Sequence, residues 1–196
     1  SQVCQIIQGS ARQYFPDAAV RCIPMADGGE GMVDAYLKAC GGQRITARVH
    51  GPFMEAVEAV YGLLPDGTAV LEMASCGGLP LAAGRLDPLR ATTYGVGELL
   101  LHSASRGAQR VLLGLGGSAT NDGGMGMAAA LGYTFVDGAG CLLPPLAQHM
   151  GRVAKIQPPP MAYPLPVVAA CDVDNPLCGP RGATAIFGGQ KGVTPQ

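Results

Sequence analysis

The residues that could do chemistry cluster where the glycines do. Thirty of the 196 residues are glycine, and the densest run is Gly114-Leu115-Gly116-Gly117-Ser118-Ala119-Thr120-Asn121-Asp122-Gly123-Gly124, directly after the apolar Val111-Leu112-Leu113. Lacking a Cβ, glycines let the backbone come close to an anion. Amide N–H groups left free where a helix starts point at that anion, helped by the helix dipole. Ser118 and Thr120 add hydroxyl donors, and Asp122 could hold a metal ion or accept a proton. The same residues could also form a tight strand-to-helix turn capped by Asn121 or Asp122. A turn needs only one or two glycines, so a run this rich in them favours phosphate binding at Gly116, Gly117, Ser118, Thr120 and Asn121.

Three further clusters carry polar groups. In Asp27-Gly28-Gly29-Glu30-Gly31 the two carboxylates are three residues apart, on one side of a first helical turn. Such hard oxygen donors suit Mg²⁺. An Asp at the N-cap with a Glu at N3 explains the spacing equally well. Cys171-Asp172-Val173-Asp174-Asn175-Pro176 follows an apolar run. A carboxylate at the C-terminal end of a strand is a ligand position in α/β sheets, and a turn closed by Asx residues and proline is the alternative. In Phe187-Gly188-Gly189-Gln190-Lys191-Gly192, Lys191 could contact a phosphate, although spacing alone describes an exposed loop lysine. Arg85 and Arg90, just before Thr92 and Thr93, supply two cations able to pair with a carboxylate. Glu72 ends an apolar strand beside Ser75.

Several reactions are excluded. Residues 188–192 have the wrong spacing for a Walker A loop, and neither G-x-S-x-G nor H-E-x-x-H occurs. Metal-assisted phosphoryl transfer fits what remains, because it needs positioning and charge more than a nucleophile. The net charge of −1 and the absence of a basic run speak against a nucleic-acid partner. With 48% hydrophobic and 14% charged residues the chain is core-forming, not disordered. No apolar run is long enough to span a bilayer, and the first residues lack the features of a signal peptide. A cytoplasmic protein without a membrane partner is expected. The seven cysteines are odd in number and form no C-x-x-C pair, as expected of reduced, buried thiols. His50, His102 and His149 read as surface or structural residues.

The elements that must position these groups follow from periodicity. Val3, Ile6, Ile7, Tyr14 and Phe15 recur at helical spacing up to Pro16, and residues 18–23 read as a strand. A helix begins within residues 28–31, carries Met32, Val33, Tyr36 and Leu37, and ends at Gly41-Gly42. Alternation at residues 44–49 predicts a strand. Runs at 56–63 and 68–73, joined by Pro65-Asp66-Gly67, extend it to an antiparallel meander. Then come a helix at 96–103, a strand at 110–115, a helix at 123–131, a proline-rich linker from residue 158 and a buried strand at 167–170. A glycine-rich tail begins at Gly179. The fold class is α/β with one antiparallel β insertion. A domain boundary falls near residue 45, separating residues 1–45 from residues 46–196.

The ordered motifs PMADGGEG (24–31), RLDPLRATTYGVGELL (85–100), GLGGSATNDGGMGM (114–127), ACDVDNPLCGPRGA (170–183) and FGGQKG (187–192) resemble those of the type I glycerate kinase family along the whole chain. Gly189 stands where many members carry proline. The resemblance implies two α/β domains, one of them discontinuous, with the active site in the cleft between them. It implies an ATP-dependent kinase that converts glycerate to phosphoglycerate with Mg²⁺. It also implies a chain covering about half a member, without the member's first strand and its later acidic, glycine-rich half. Carried over residue by residue, it assigns catalysis to Asp27, Glu30, Asp122 and Asp172, with Mg²⁺ on Asp27, Asp122 and Asp172. Phosphate or substrate binding goes to Gly28, Gly29, Gly116, Gly117, Ser118, Thr120, Asn121, Lys191 and Arg85. Asp27 or Asp172 is expected nearest the substrate hydroxyl. A homodimer is compatible with this reading. The alternatives are a truncated, inactive fragment or a different small-molecule phosphotransferase, since GLGGSAT faintly resembles the Gly-Ser loop of the galactokinase-like superfamily.

Overall fold

The computed structural model describes residues 2–23, 25–26 and 28–194. In chain order come α1 (Gln2–Tyr14), α2 (Met32–Cys40), β1 (Gln43–His50), β2 (Ala56–Leu63), β3 (Thr68–Glu72), α3 (Ala74–Gly77), α4 (Tyr94–Ser105), β4 (Arg110–Gly114), α5 (Met125–Ala130), β5 (Thr134–Val136), β6 (Lys155–Gln157), β7 (Val167–Ala170) and α6 (Ala183–Phe187). Short 3₁₀ turns cover Leu79–Ala82, Ala147–Arg152 and Gly189–Lys191. The main sheet has the order β1-β2-β3-β4-β7. Its first three strands form the expected antiparallel meander, whereas β3, β4 and β7 run parallel, with Glu72 opposite Gly114 and Gly114 opposite Ala170. Strands β5 and β6 form a separate antiparallel pair.

The meander follows from local chemistry. Asp66 Oδ1 accepts the Thr68 N–H at 3.0 Å, and Leu64 N–H donates to Thr68 O at 2.9 Å, closing the turn between β2 and β3. Because side chains alternate along a strand, the two faces of central β3 pack against different helices. Ala69 and Leu71 join Val96, Leu99 and Leu100 of α4, while Val70 joins Met32 and Val33 of α2. The result is a sheet between helical layers, with a third cluster of Met125, Phe135 and Leu143 where α5 meets the small β5–β6 pair. Helix α2 shares its core with Leu64, Val70 and Leu112, across the expected boundary near residue 45.

Several expectations are corrected. Residues 18–23 are irregular, because among the described residues no strand pairs with them and an extended segment without a ladder leaves its amides unmatched. Strand β7 forms as expected but is not buried. It lies at the sheet edge, and Val167 and Val168 are 42% and 59% exposed. Helix α5 starts two residues late, since Gly123 and Gly124 adopt left-handed φ values of 58° and 78°. The glycine-rich tail, for which the sequence predicts no element, folds into α6 and a 3₁₀ turn.

One partly buried pair should make stability depend on pH. The Tyr61 hydroxyl lies 3.1 Å from His102 Nδ1. Burial, followed by the nearby Arg106 charge, holds the His102 imidazole below the usual histidine range. The unfolded chain therefore binds a proton at higher pH than the folded one, and stability falls as pH drops from the ordinary histidine value through the folded one. Between pH 7.5 and 5.5 the urea midpoint should fall, and a His102→Gln variant should show a flatter profile. An identical slope in both proteins would exclude His102 as the cause.

Candidate active site

The carboxyl ends of the three parallel strands open onto the loops that carry the candidate groups. The glycine-rich loop leaves β4 at Gly114 and is clamped on several sides. Met73 N–H donates to Gly114 O at 2.9 Å, Leu115 N–H to Ala170 O at 3.3 Å, and Gly116 N–H to Gly28 O at 3.0 Å. Leu79 N–H donates to Gly117 O at 2.9 Å, and Ala119 N–H to Gly77 O at 2.8 Å. Side chains are excluded here by contact. A methyl group on Gly116 would lie 2.7 Å from Gly29 N and 2.8 Å from its Cα, and one on Gly114 would collide with Gly28 O. Thus the 28–31 segment, the start of the 114–124 loop and the 170–172 segment converge.

The 114–124 loop and residues 171–175 and 183–191 wall a cleft of about 370 Å³ lined by Gly116, Gly117, Ser118, Asp172, Asn175 and Lys191, with Leu115, Cys171 and Phe187 as its apolar lining; Gly28 and Gly29, expected to bind substrate or phosphate, are buried and do not line it. Lys191, read from spacing alone as an exposed loop lysine, is partly buried. Its Nζ donates to Ser118 Oγ at 2.9 Å and to Thr120 O at 2.7 Å. Burial pulls the ammonium below the usual lysine range, and the negative charge of Asp122 partly offsets this. The cation is thus fixed on the loop that the glycines shape. Asn121 exchanges hydrogen bonds of 3.2 Å with Thr184 of α6, fastening that helix to the same loop. Glu30 is exposed, and its Oε1 would be 3.4 Å from a methyl on Gly117. Asp172 is exposed on the cleft wall.

Not every expected residue faces this cleft. Asp27 lies outside the described residues. Asp122 is 1% exposed and turned inward. Its Oδ2 accepts Thr93 N–H at 2.8 Å, Thr93 Oγ–H at 2.9 Å and Gly126 N–H at 3.0 Å, while Oδ1 accepts Gly124 N–H at 3.1 Å. Four donors already occupy this carboxylate, so it builds the loop and ties it to the start of α4. An apolar hollow lined by Met125, Tyr133, Phe135 and Met150 also borders Asp122 and presents few groups to an anion. Arg85 lies in a separate pocket with Phe53, Asp87 and Arg90. Glu72, known from sequence only as a strand end, has a definite part: its Oε1 accepts Val33 N–H at 2.6 Å in the interior, capping α2. A carboxylate ending the central strand was the available signal. Among the described residues, no three His, Cys, Asp or Glu side chains gather into a metal cluster.

The whole chain, residues 1–196, matches the family model described as the glycerate kinase family. The chain belongs to the glycerate kinase family. Relatives include a glycerate kinase of Bacillus cereus, 45% identical over 98% of this chain and 52% of the relative. A glycerate 2-kinase of Escherichia coli is 43% identical over 99% of the chain and 52% of the relative. A crystal structure of a proposed glycerate kinase 2 from Salmonella typhimurium LT2 superposes with a TM-score of 0.82 at 40% identity, covering 96% of this chain and 52% of that one. The chain therefore spans about half the length of the family members it matches. No helix among the described residues is long and apolar enough to cross a membrane.

Proposed function

We propose that this chain supplies the phosphate-binding side of a kinase that transfers the γ-phosphoryl group of ATP to a hydroxyl of glycerate. The observation that carries the reading is the Lys191 ammonium fixed on Ser118 and Thr120, beside a loop whose Gly114 and Gly116 admit no side chain. A preorganised cation and backbone donors stabilise charge on a transferring phosphoryl group without reorganising during the reaction. Gly116, Gly117 and Ser118 would orient the phosphates, Thr120, buried and off the cleft lining, would act through its carbonyl on Lys191, and Asn121 with Thr184 would keep α6 against them. Asp172 or Asp27 would accept the proton of the attacking hydroxyl. Magnesium fits this donor set, because it is commonly held by one or two carboxylates plus substrate phosphates rather than by an all-protein cage. Asp172, with Asp27, would hold it, and it would neutralise charge on the phosphates. A cytoplasmic enzyme without a nucleic-acid partner agrees with the chain's net charge of −1.

A coupled assay of ADP release, on the protein carrying this chain, tests the reading. D-glycerate should stimulate release and sugars should not. A Gly116→Ala variant should lose at least about tenfold in kcat/KM, because the methyl displaces the loop from the 28–31 segment. Absence of glycerate-dependent ADP release from the intact protein would refute the activity, and preference for sugars would favour another phosphotransferase.

A further inference from the structure

A smaller pocket, of about 160 Å³, is walled by Phe53, Arg85, Asp87 and Arg90 and is separated from the phosphate cleft by one further cavity. It lies at the carboxyl end of the parallel strands. Strand β2 starts at Ala56 and runs antiparallel to β3, so the turn before it, which carries Phe53, sits at that end. Pro52 O accepts Thr92 N–H at 2.9 Å, fixing this turn to the segment bearing both arginines. The two sites are close along the wall. Leu86, next to Arg85, packs on Gly192, next to Lys191, and a methyl on Gly192 would lie 3.0 Å from Leu86 Cβ. Asp87 also lines the intervening cavity, which reaches Asn121, Thr184 and Gly192.

The charges are arranged for a small acid. The Arg85 guanidinium stacks 3.9 Å over the Phe53 ring, with Glu55 Oε2 at 3.9 Å, and its side chain is 63% exposed. Stacking on a ring face holds the planar group while leaving its N–H edge able to meet a carboxylate in a two-point contact. Arg90 is exposed, and its side chain has no hydrogen bond or ion pair among the described residues. Asp87 Oδ1 accepts Leu89 N–H at 3.2 Å, leaving Oδ2 as an acceptor. Glu55 and Asp87 balance the formal charge of Arg85 and Arg90, so the pocket is not a general anion trap. Its volume is less than half that of the phosphate cleft, which suits a three-carbon acid better than a nucleotide.

We infer that this pocket binds the acceptor substrate as a short hydroxy acid: Arg85 and Arg90 take the carboxylate and Asp87 accepts a hydroxyl that is not phosphorylated. This rests on the kinase reading above and adds to it the group that makes the enzyme require an acid rather than a neutral polyol. The test compares D-glycerate with glycerol, which lacks the carboxylate, by binding calorimetry and by ADP release. Arg90→Gln should weaken glycerate binding and raise its KM by about tenfold to a hundredfold. It should leave the ATP KM within about twofold. Arg90→Lys, which keeps the charge but loses the two-point contact, should recover only part of the affinity. Glycerate affinity unchanged in Arg90→Gln, or an ATP KM that rises as much as the glycerate KM, would overturn the assignment. Glycerate binding that depends on Arg90 without any ADP release would support the pocket while refuting the kinase reading.

Discussion

Replacing Lys191 with methionine should lower kcat/KM for glycerate-dependent ADP release by about 10²- to 10³-fold, the usual cost of removing one preorganised donor from a charged transition state. That corresponds to about 2.7–4 kcal/mol of lost transition-state stabilisation. The folded protein should tolerate the change well, because the ammonium is partly desolvated and its removal leaves Ser118 Oγ and Thr120 O able to meet water. The lowered lysine pKa gives the reading a second handle. Activity should fall on the alkaline side below the usual lysine value, as the ammonium loses its proton, and Lys191→Arg should move that limb upward. Because the unfolded lysine keeps its proton to higher pH than the folded one, stability contributed by this group rises, not falls, across the same window. A Lys191→Met enzyme with wild-type kcat/KM would show that the cation only fastens the loop.

Asp122→Ala should destabilise the protein by about 3–5 kcal/mol, since it strands several interior donors at once. Thr93 N–H, Thr93 Oγ–H and Gly126 N–H all lose their acceptor in a region with almost no access to water. Asp122→Asn keeps the volume but turns an N–H₂ towards those donors, and should cost about 1–3 kcal/mol. The urea midpoint measures both. A fall in kcat with an unchanged midpoint would instead return Asp122 to the reacting groups, where its position in the glycine-rich motif suggested it.

That contrast marks where sequence reading stops. The β1–β2–β3 meander was legible because a period of two and the Pro65-Asp66-Gly67 turn are local signals, and the antiparallel pairing they predict is the one observed. The tight folding of the 114–124 loop was legible because glycine density reports on close approach, and the contacts of Gly114 and Gly116 with the 28–31 segment explain it. The direction of Asp122 was not legible, since Thr93 is brought to it only by the packing of α4 on α5. Nor was the capping of α2 by Glu72, which joins residues 39 apart in sequence. Lys191 looked like a loop lysine for the same reason: nothing near it in the chain announces Ser118. Residues 18–23 misled because apolar, extended-looking segments become strands only when a neighbour offers a ladder.

The mixed sheet also sets an order of events in folding. Pairing within the meander links residues only a turn apart, whereas joining β3 to β4 must bring Thr68 to Arg110, and joining β4 to β7 must bring Val111 to Val167. Closing such large loops costs chain entropy before any contact repays it, which slows parallel pairing relative to hairpins. The glycine-rich loop takes its shape from both parallel junctions, so competence to bind phosphate should emerge late in refolding, after most of the sheet's secondary structure has already appeared.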